Sequence, residues 1–564
     1  MGRVYTASDV EGLGVGESRV GLVLAPGDVI SPAALDVARE LGIAVQWGDG
    51  EAVVGSAAGG GSVVGVAGEL EQRILREVDE VLREVPGGSV DEVVDRALRR
   101  LAERPVGVEA ATVTERLASF VTGWAARGLP PEVTHEAKRL IINNLKASVR
   151  ARDHDFVNIL LAGTESVDGA VGAHVLWHGA VISAEQAVLI NSVQMEVFDF
   201  NETHVPTYVH LSSPVLPAVL ASGELVAAHG GQLLDALALG IEVELAVSTM
   251  LMPTAYQRGF LPGVIAGTVG AAAGVASILR LPHTETRNAI AIAMLGAGGL
   301  FESVGSMTAS YLIANAGMNG YTAAQLASRG VDAPTTAFEG EKGMLLGFSV
   351  ADPEKIESVM EGLGTTWRVR EGSYKRYQAE TIDQAPLECV FTIRERTPAD
   401  KLESIVAMRF EVEPLVADIA KERYERFGKP GSDLQATFDL RYVMAAAWMT
   451  GRIGGDVYSE RFYSDPTILD LRDRVQVVGD PRITLDGATL EVSFGDGTSD
   501  EVTVDAFTGS AQRPLTDAQL EDLFRREAAS SLPPDRIEDI LASIWSMGEG
   551  VGVREVVGGL VVGR

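Results

Sequence analysis

The feature that most constrains the fold is a long stretch, from residue 112 to about residue 346, in which apolar residues recur at helical spacing. Several of its segments are rich in Ala and Gly, and such small side chains let neighbouring helices pack closely. Gly, Ser, Pro or Glu interrupts the apolar runs before they reach the roughly 18 apolar residues of a membrane span. The pattern therefore predicts a buried helical domain. Its predicted helices include residues 112–127, 131–150, 215–229, 232–250, 263–279 and 283–300.

The periodicity changes after about residue 365. Alternating apolar residues at 405–412, 474–478, 489–494 and 502–504 predict strands, and 433–450 and 467–473 predict helices between them. Residues 517–528 and 534–547 return to helical spacing. The fold class predicted is mainly α with an α+β second domain, in which a smaller α/β region precedes the last helices.

The first hundred residues differ from both regions. Residues 1–47 predict a small α/β unit, with strands at 20–24 and 42–47 and a helix at 33–41. Residues 31–43 resemble a short segment of some proteins from ethanolamine-type bacterial microcompartments. A Gly-, Ala- and Ser-rich stretch at 48–68 predicts a flexible linker, and 69–105 predict two amphipathic helices. Those helices either pack on their own chain or a dimer mate, or dock to a shell or scaffold.

Composition narrows the functional classes. A chain of 564 residues is expected to form two or three domains. The net charge of −31 argues against nucleic acid as the main partner, because phosphate binding needs clustered Lys and Arg. The single cysteine, Cys389, excludes an internal disulfide framework and cysteine-rich metal sites. No basic segment followed by an apolar one marks a secretory signal, so we predict a cytoplasmic protein without membrane attachment.

A polar loop follows the apolar run 187–198. Asp199, Glu202, His204 and His210 fall within twelve residues, and Pro206 prevents a helix from continuing through them. Two interpretations of the carboxylates remain open, namely helix-end capping with solvated charge, or acid–base chemistry next to the imidazoles. We predict no metal, because no His-x3-His pair or cysteine cluster accompanies these residues.

The same residues carry a family resemblance. Asp-Phe-Asn-Glu-Thr-His at 199–204 and His-Leu-Ser-Ser at 210–213 resemble the Asp-Phe-Asp-Asp-Thr-His and His-Pro-Ser signature of the MmgE/PrpD family. That family includes 2-methylcitrate dehydratases, cis-aconitate decarboxylases and iminodisuccinate epimerases. The resemblance extends from about residue 112 to near the C-terminus. It implies a helical domain at 112–365, an α/β lid at 366–515, helices at 516–564 that return to the helical domain, and a homodimer.

The resemblance also implies site residues and an activity. It predicts a cofactor-independent lyase (a dehydratase or decarboxylase) or an epimerase that acts on a small carboxylic acid in a cleft between the two domains. Catalytic roles are predicted for His210, His204, Asp199 and Lys375, the last in a segment similar to the family's Lys-x-[Phe/Tyr]-Pro. Substrate contacts are predicted for Arg258, Arg376, Tyr374 and Glu202. Arg376 and Lys375 are open to a second interpretation as a solvated basic cluster.

The chain departs from the family pattern where anionic groups would bind. Leu261 and Ala309 stand where family members commonly carry a histidine and a lysine, and a third common histidine is replaced by Glu196. Other departures are Asn201 for an aspartate, Gln378 for a proline and Glu380 for a histidine. These changes predict a less cationic pocket and a substrate with fewer carboxylates. The alternative is a catalytically weakened member that binds a ligand or assembles through residues 1–105.

Overall fold

The structure, a computed structural model, describes residues 4–5, 22–24, 29–30, 45–47, 111–168 and 171–561. The chain divides into two compact units, residues 1–109 and residues 110–564. The predicted helix at 33–41, the linker at 48–68 and the helices at 69–105 lie outside the described residues.

In the first unit the structure describes four short strands. They are β1 (Val4–Tyr5), β2 (Leu22–Leu24), β3 (Val29–Ile30) and β4 (Val45–Trp47). β1 pairs with β3 and β2 pairs with β4, both in parallel. β2 and β4 lie within the two predicted strands and are shorter, since each spans three residues.

The second unit begins with a large helical region. Thr112 caps its first helix, because its hydroxyl accepts from the backbone N–H of Glu115 and the Glu115 carboxylate accepts from the N–H of Thr112. The elements are α1 (Val113–Arg127), α2 (Pro131–Ala151), α3 (Asp155–Ala162), β5 (Ala173–His174), β6 (Val181–Ile182), α4 (Ala184–Glu196), α5 (Val215–Leu225), α6 (Gly230–Leu251), α7 (Thr254–Gln257), α8 (Pro262–Ile278), α9 (His283–Gly296), α10 (Met307–Ala327), α11 (Met344–Phe348) and α12 (Pro353–Gly362).

Helix α8 lies at the centre of this region and packs against α6 and α10. All of its residues are buried, and glycines let its backbone approach its neighbours. A Cβ at Gly270 would lie 2.8 Å from the carbonyl oxygen of Gly240 on α6, and one at Gly320 would lie 2.5 Å from the carbonyl oxygen of Thr268. The small residues are therefore required by helix packing, as the composition predicts.

A four-stranded sheet forms the core of the next region. Its elements and the helices that follow are α13 (Gln384–Arg396), β7 (Ile405–Val412), α14 (Pro414–Phe427), α15 (Asp433–Thr437), α16 (Leu440–Thr450), α17 (Glu460–Tyr463), α18 (Pro466–Arg472), β8 (Val475–Gly479), β9 (Ala488–Phe494), β10 (Ser499–Val504), α19 (Asp517–Ala528), α20 (Pro534–Trp545) and α21 (Val553–Leu560). The strand order is β10-β9-β7-β8, antiparallel except for β7 and β8. Helices α19 and α21 pack back on α2 and α5 of the helical region. The fold is thus mainly α with a small α/β region.

Three predicted helices differ most from the structure. The helix predicted at 433–450 is two helices, because Asp439 starts a new one by accepting from the backbone N–H of Tyr442. The helices predicted to end at residues 229 and 300 end at Leu225 and Gly296. Within the described ranges, none of the helices is both long and apolar enough to cross a membrane.

Candidate active site

The site begins where helix α4 ends. Glu196 is its last residue, and the backbone N–H of Asp199 donates to the Glu196 carbonyl at 2.8 Å. Asp199 has a φ of +47°, which turns the chain sharply after the helix. Further along the loop, Thr203 and Ser373 exchange two backbone hydrogen bonds of 3.0 and 2.8 Å. This bridge brings the segment around residue 375 alongside the loop, although the two are far apart in sequence.

The imidazole of His210 lies between two carboxylates. Its Nδ1 is 2.7 Å from Glu196 Oε1, and its Nε2 is 3.2 Å from Asp199 Oδ1. Lys375 completes the cluster, because its Nζ donates to Asp199 Oδ1 at 2.6 Å and to the Asp199 carbonyl at 2.7 Å. The loop and the bridged segment thus bring His210, Asp199 and Lys375 together.

The surroundings of Glu196 favour a charged His210. The second carboxylate oxygen of Glu196, Oε2, accepts hydrogen bonds from Ser213 Oγ at 2.7 Å and from Asn201 Nδ2 at 2.8 Å. Burial opposes ionisation of Glu196, but the His210 charge and these hydrogen bonds outweigh it and lower its pKa to about 2. Burial likewise disfavours the imidazolium, yet the Glu196 carboxylate raises the pKa of His210 above its usual range. The surroundings therefore favour the protonated form of His210.

A cavity of about 170 Å³ is lined by Glu196, Asp199, His210 and Lys375. Arg423 of α14 also lines it and forms a buried ion pair with Glu380. Burial raises the pKa of Glu380, although Arg423 acts in the opposite direction. The remaining walls are largely apolar and come from both the helical and the sheet regions. Apolar lining residues are Val197, Leu261, Phe301, Val304, Ala309, Ile313, Ile382, Leu415, Ile419, Leu434, Phe438 and Leu485.

The other predicted site residues lie elsewhere. His204 lines a separate cavity of about 310 Å³, with Nδ1 2.7 Å from Thr207 Oγ1 and Nε2 3.3 Å from Glu371 Oε2. Glu202 is enclosed in the protein interior, where it accepts hydrogen bonds from side-chain amides and one backbone N–H. Neither belongs to the cavity that His210 lines.

The three remaining residues with predicted substrate contacts are also outside the lining of that cavity. The hydroxyl of Tyr374 donates to Glu136, and Arg258 Nη1 donates to the Ser349 carbonyl at 3.0 Å. Arg376 is exposed, with its guanidinium carbon 5.5 Å from the Tyr377 ring centroid. The structure therefore separates the side chain of Lys375 from those of its neighbours in sequence, Tyr374 and Arg376.

Sequence reasoning did not assign site roles to Glu196, Glu380 or Arg423. A signal for Arg423 was present in its helix, because it follows Val416 and Ala420 at helical spacing and all three are buried. A charged residue on the apolar face of a helix is unusual unless a partner neutralises it. Glu196 and Glu380 were noted as departures from the family pattern, but no sequence signal showed which bases they would contact.

Comparison with known protein families matches almost all of the described part of the second unit. The sequence model of the MmgE/PrpD N-terminal domain matches residues 115–356, and that of the MmgE/PrpD C-terminal domain matches residues 377–547. The chain belongs to the MmgE/PrpD family. His210, Asp199 and Glu196 lie in the first MmgE/PrpD match, Glu380 and Arg423 in the second, and Lys375 in the short segment between them. The cavity is therefore lined by residues from both MmgE/PrpD domains.

Individual relatives are distant. The chain is 24% identical to a human cis-aconitate decarboxylase, over 77% of this chain and 92% of the relative. It is 22% identical to the cis-aconitate decarboxylase of Aspergillus terreus, over 76% of this chain and 91% of the relative. A 2-methylcitrate dehydratase from Cupriavidus necator is 32% identical over 115 residues, which is 18% of this chain and 24% of the relative.

Proposed function

We propose that this protein is a lyase that breaks a bond next to the carboxylate of a small carboxylic acid by proton transfer, with no cofactor. The observation that carries the proposal is the placement of His210 between Glu196 and Asp199 at the wall of a cavity. The MmgE/PrpD relatives are named as decarboxylases and a dehydratase, which supports the same reaction class. An imidazole that is positioned and charged by carboxylates is suited to acid–base catalysis near neutral pH.

In this proposal His210 delivers the proton. Decarboxylation breaks the C–C bond to CO2 and leaves an electron pair on the substrate carbon, and the imidazolium protonates that carbon. Dehydration instead needs a base that removes a proton next to the carboxylate and an acid that protonates the leaving hydroxyl, so His210 would serve one step and a second group the other. Glu196 keeps His210 charged in the resting site, and Ser213 and Asn201 fix the orientation of Glu196.

Lys375 and Asp199 have a positioning and electrostatic role. The Lys375 ammonium neutralises the Asp199 carboxylate beside His210 Nε2, and its bond to the Asp199 carbonyl fixes the turn after α4. Burial of this cluster strengthens its electrostatic interactions, because water does not screen them. Negative charge that develops on a substrate in the cavity would therefore interact strongly with His210 and Lys375.

Deuterium incorporation tests the reaction class. The purified protein is incubated in D2O with a panel of mono-, di- and tricarboxylic acids, and the products are followed by NMR. A decarboxylase gives a product with solvent deuterium on the carbon that lost CO2, and a dehydratase gives a new double bond with release of water. Proton exchange alone would indicate an epimerase. If no acid exchanges or reacts, the lyase proposal fails, and the alternative of a family member that only binds a ligand is favoured.

A further inference from the structure

The charged residues of the cavity identify what kind of acid it accommodates. Among the residues described, the charged side chains that line it are three carboxylates, Glu196, Asp199 and Glu380, and three bases, His210, Lys375 and Arg423. Each base is already within an ion-pair distance of a carboxylate. The cavity therefore has no excess of positive charge. A second or third substrate carboxylate would be buried without a counter-charge, which is strongly unfavourable.

Arg423 is the base best suited to bind one carboxylate. A guanidinium has five N–H donors in a planar fork, and the ion pair with Glu380 involves its Nη1. Phe438, which also lines the cavity, lies beneath it with the guanidinium carbon 5.3 Å from the ring centroid. Lys375 is less suited to bind a carboxylate, because its Nζ already donates two short hydrogen bonds to Asp199 and its side chain is 1% exposed.

Glu380 restricts Arg423 to a single anion. Its carboxylate occupies one side of the guanidinium, and the buried Asp383 interacts electrostatically with both Glu380 and Arg423, while burial raises the pKa of Asp383 well above its usual range. A substrate carboxylate at Arg423 would thus have acidic neighbours on one side. A further anionic group placed beside the Glu380 carboxylate would be repelled by it.

Opposing apolar walls provide a place for the rest of the ligand. Leu261, Ala309 and Ile313 line the cavity from the helical region, and Leu415, Ile419 and Leu434 line it from the sheet region. An apolar group held between these walls would be removed from water, which is favourable by roughly 25 cal/mol per Å² of buried apolar surface.

We propose that the substrate is a monocarboxylic acid with an apolar body, whose carboxylate binds Arg423 and whose body lies between the two apolar walls. That this ligand is a substrate rests on the proposed function, whereas its chemical class is a statement about binding alone. Arg423 is the anchor, Glu380 limits it to one anion, and the apolar residues recognise the body of the ligand.

Binding of a matched set of probes tests the class of ligand. Hexanoate, adipate and hexanol share a six-carbon chain and carry one, two and no carboxylates. Calorimetric titration of the full chain at neutral pH should give hexanoate a dissociation constant at least about tenfold lower than adipate, since a second unpaired carboxylate must be desolvated. Hexanol should bind more weakly than hexanoate. Equal or tighter binding of adipate, or no binding of hexanoate, would overturn the inference.

Variants test the anchor. Arg423→Gln should weaken hexanoate binding by at least about tenfold, because it removes a charged hydrogen-bond donor. Arg409→Gln is the matched control, since Arg409 forms an ion pair with Glu411 on β7, away from the cavity lining. Equal binding by the two variants would refute the role of Arg423. If Arg423→Gln does not fold, Glu380→Gln decides, because it should release Arg423 and tighten hexanoate binding, and an unchanged affinity would count against the anchor.

The turnover experiment and the binding experiments can contradict their proposals independently of each other. If hexanoate binds as expected but no acid reacts in D2O, the lyase proposal is wrong and the ligand class stands. If a tricarboxylate reacts and binds more tightly than the monocarboxylates, the protein is a lyase and the inferred ligand class is wrong.

Discussion

Two buried glutamates six residues apart, Glu196 and Glu202, have opposite surroundings. Glu196 contacts a titratable base, His210, and lines the cavity. Glu202 accepts from Asn143 Nδ2 at 2.6 Å, from Asn144 Nδ2 at 2.9 Å and from the backbone N–H of Ser212 at 2.9 Å. The partners of Glu202 cannot change charge near neutral pH. Both glutamates are buried, but they differ in whether the partner can titrate near neutral pH and in whether the carboxylate reaches a cavity.

The hydrogen bonds show what each glutamate holds in place. Glu202 joins helix α2 to the loop before α5, because its donors are two amides of α2 and the N–H of Ser212. Each hydrogen bond to a charged group contributes about 1.5–3 kcal/mol. Glu196 instead holds the loop through Ser213 and Asn201 while its other oxygen is directed to His210. We therefore interpret Glu202 as structural and Glu196 as a positioning residue for His210.

The largest expected effect is that of replacing His210. His210→Ala should lower the rate by about 10²–10⁴-fold, the usual contribution of an acid–base residue. The melting temperature should fall only modestly, because the variant leaves Glu196 without its charged partner while Ser213 and the bridge between Thr203 and Ser373 still hold the loop. Steady-state kinetics and thermal unfolding measure the two quantities.

The matched control for this substitution is His283→Ala. His283 is exposed on α9, where its Nε2 lies 3.0 Å from Ser119 Oγ. This variant should keep its rate. Full activity of His210→Ala would show that the cluster has a structural role only.

The second expected effect is a loss of stability on replacing Glu202. Glu202→Gln should lower the free energy of unfolding by about 3 kcal/mol, because an amide cannot accept all the hydrogen bonds that three donors offer the carboxylate. The folded fraction should keep its rate per molecule. Denaturant unfolding measures the stability, and a rate loss much larger than the loss of folded protein would contradict the assignment of Glu202 as structural.

Parts of this arrangement follow from sequence and parts do not. The strand at Ile405–Val412 and the helix at Asp517–Ala528 have the predicted bounds, because each has strong local periodicity, and Thr516 provides a cap for the helix. The contact between Glu196 and His210 depends on the turn at Asp199, whose left-handed backbone is not marked by a glycine. Arg423 reaches the cavity from α14, more than 200 residues from His210 along the chain, and local patterns do not report such distances.

The family signature identified the polar loop but did not separate its members. His204 and His210 are six residues apart, and the predicted catalytic role applies to both. The structure places them at different cavities, because the backbone of His204 pairs with Val209 and the chain turns at Tyr208, which has a φ of +54°. Tertiary pairing of this kind has no signature in residue type.

The third prediction concerns pH. Glu196→Gln removes the charge that raises the pKa of His210, so the pKa of the imidazole should fall. A proton donor loses activity as pH rises through its pKa, and the decline should therefore begin at lower pH in the variant than in the wild type. Rate–pH profiles above pH 5 measure this shift. An unchanged profile would show that Glu196 does not control the protonation of His210.

The ion pair between Glu196 and His210 also makes the stability of the protein depend on pH. The folded-state pKa of Glu196 is about 2, below the ordinary value of 4.5. Its contribution to stability is therefore present above pH 4.5 and is lost as pH falls toward 2. The raised pKa of His210 contributes stability that is fully present below pH 6.5 and is lost as pH rises through the folded-state value. Unfolding experiments should thus find the wild type most favoured over Glu196→Gln between about pH 4.5 and 6.5.

The smallest expected effect concerns the second histidine of the loop. His204→Gln should lower the rate by less than about tenfold, well below the effect of about 10² or more that acid–base catalysis gives. Its partners are Thr207 Oγ1 and Glu371 Oε2, and the cavity that it lines lacks His210, Asp199 and Lys375. Gln preserves a donor and an acceptor, so the bond to Thr207 can persist. Steady-state kinetics on this variant, in parallel with His210→Ala, measures the difference between the two histidines. Equal losses in the two variants would restore His204 to the catalytic group and would mean that the two cavities act together.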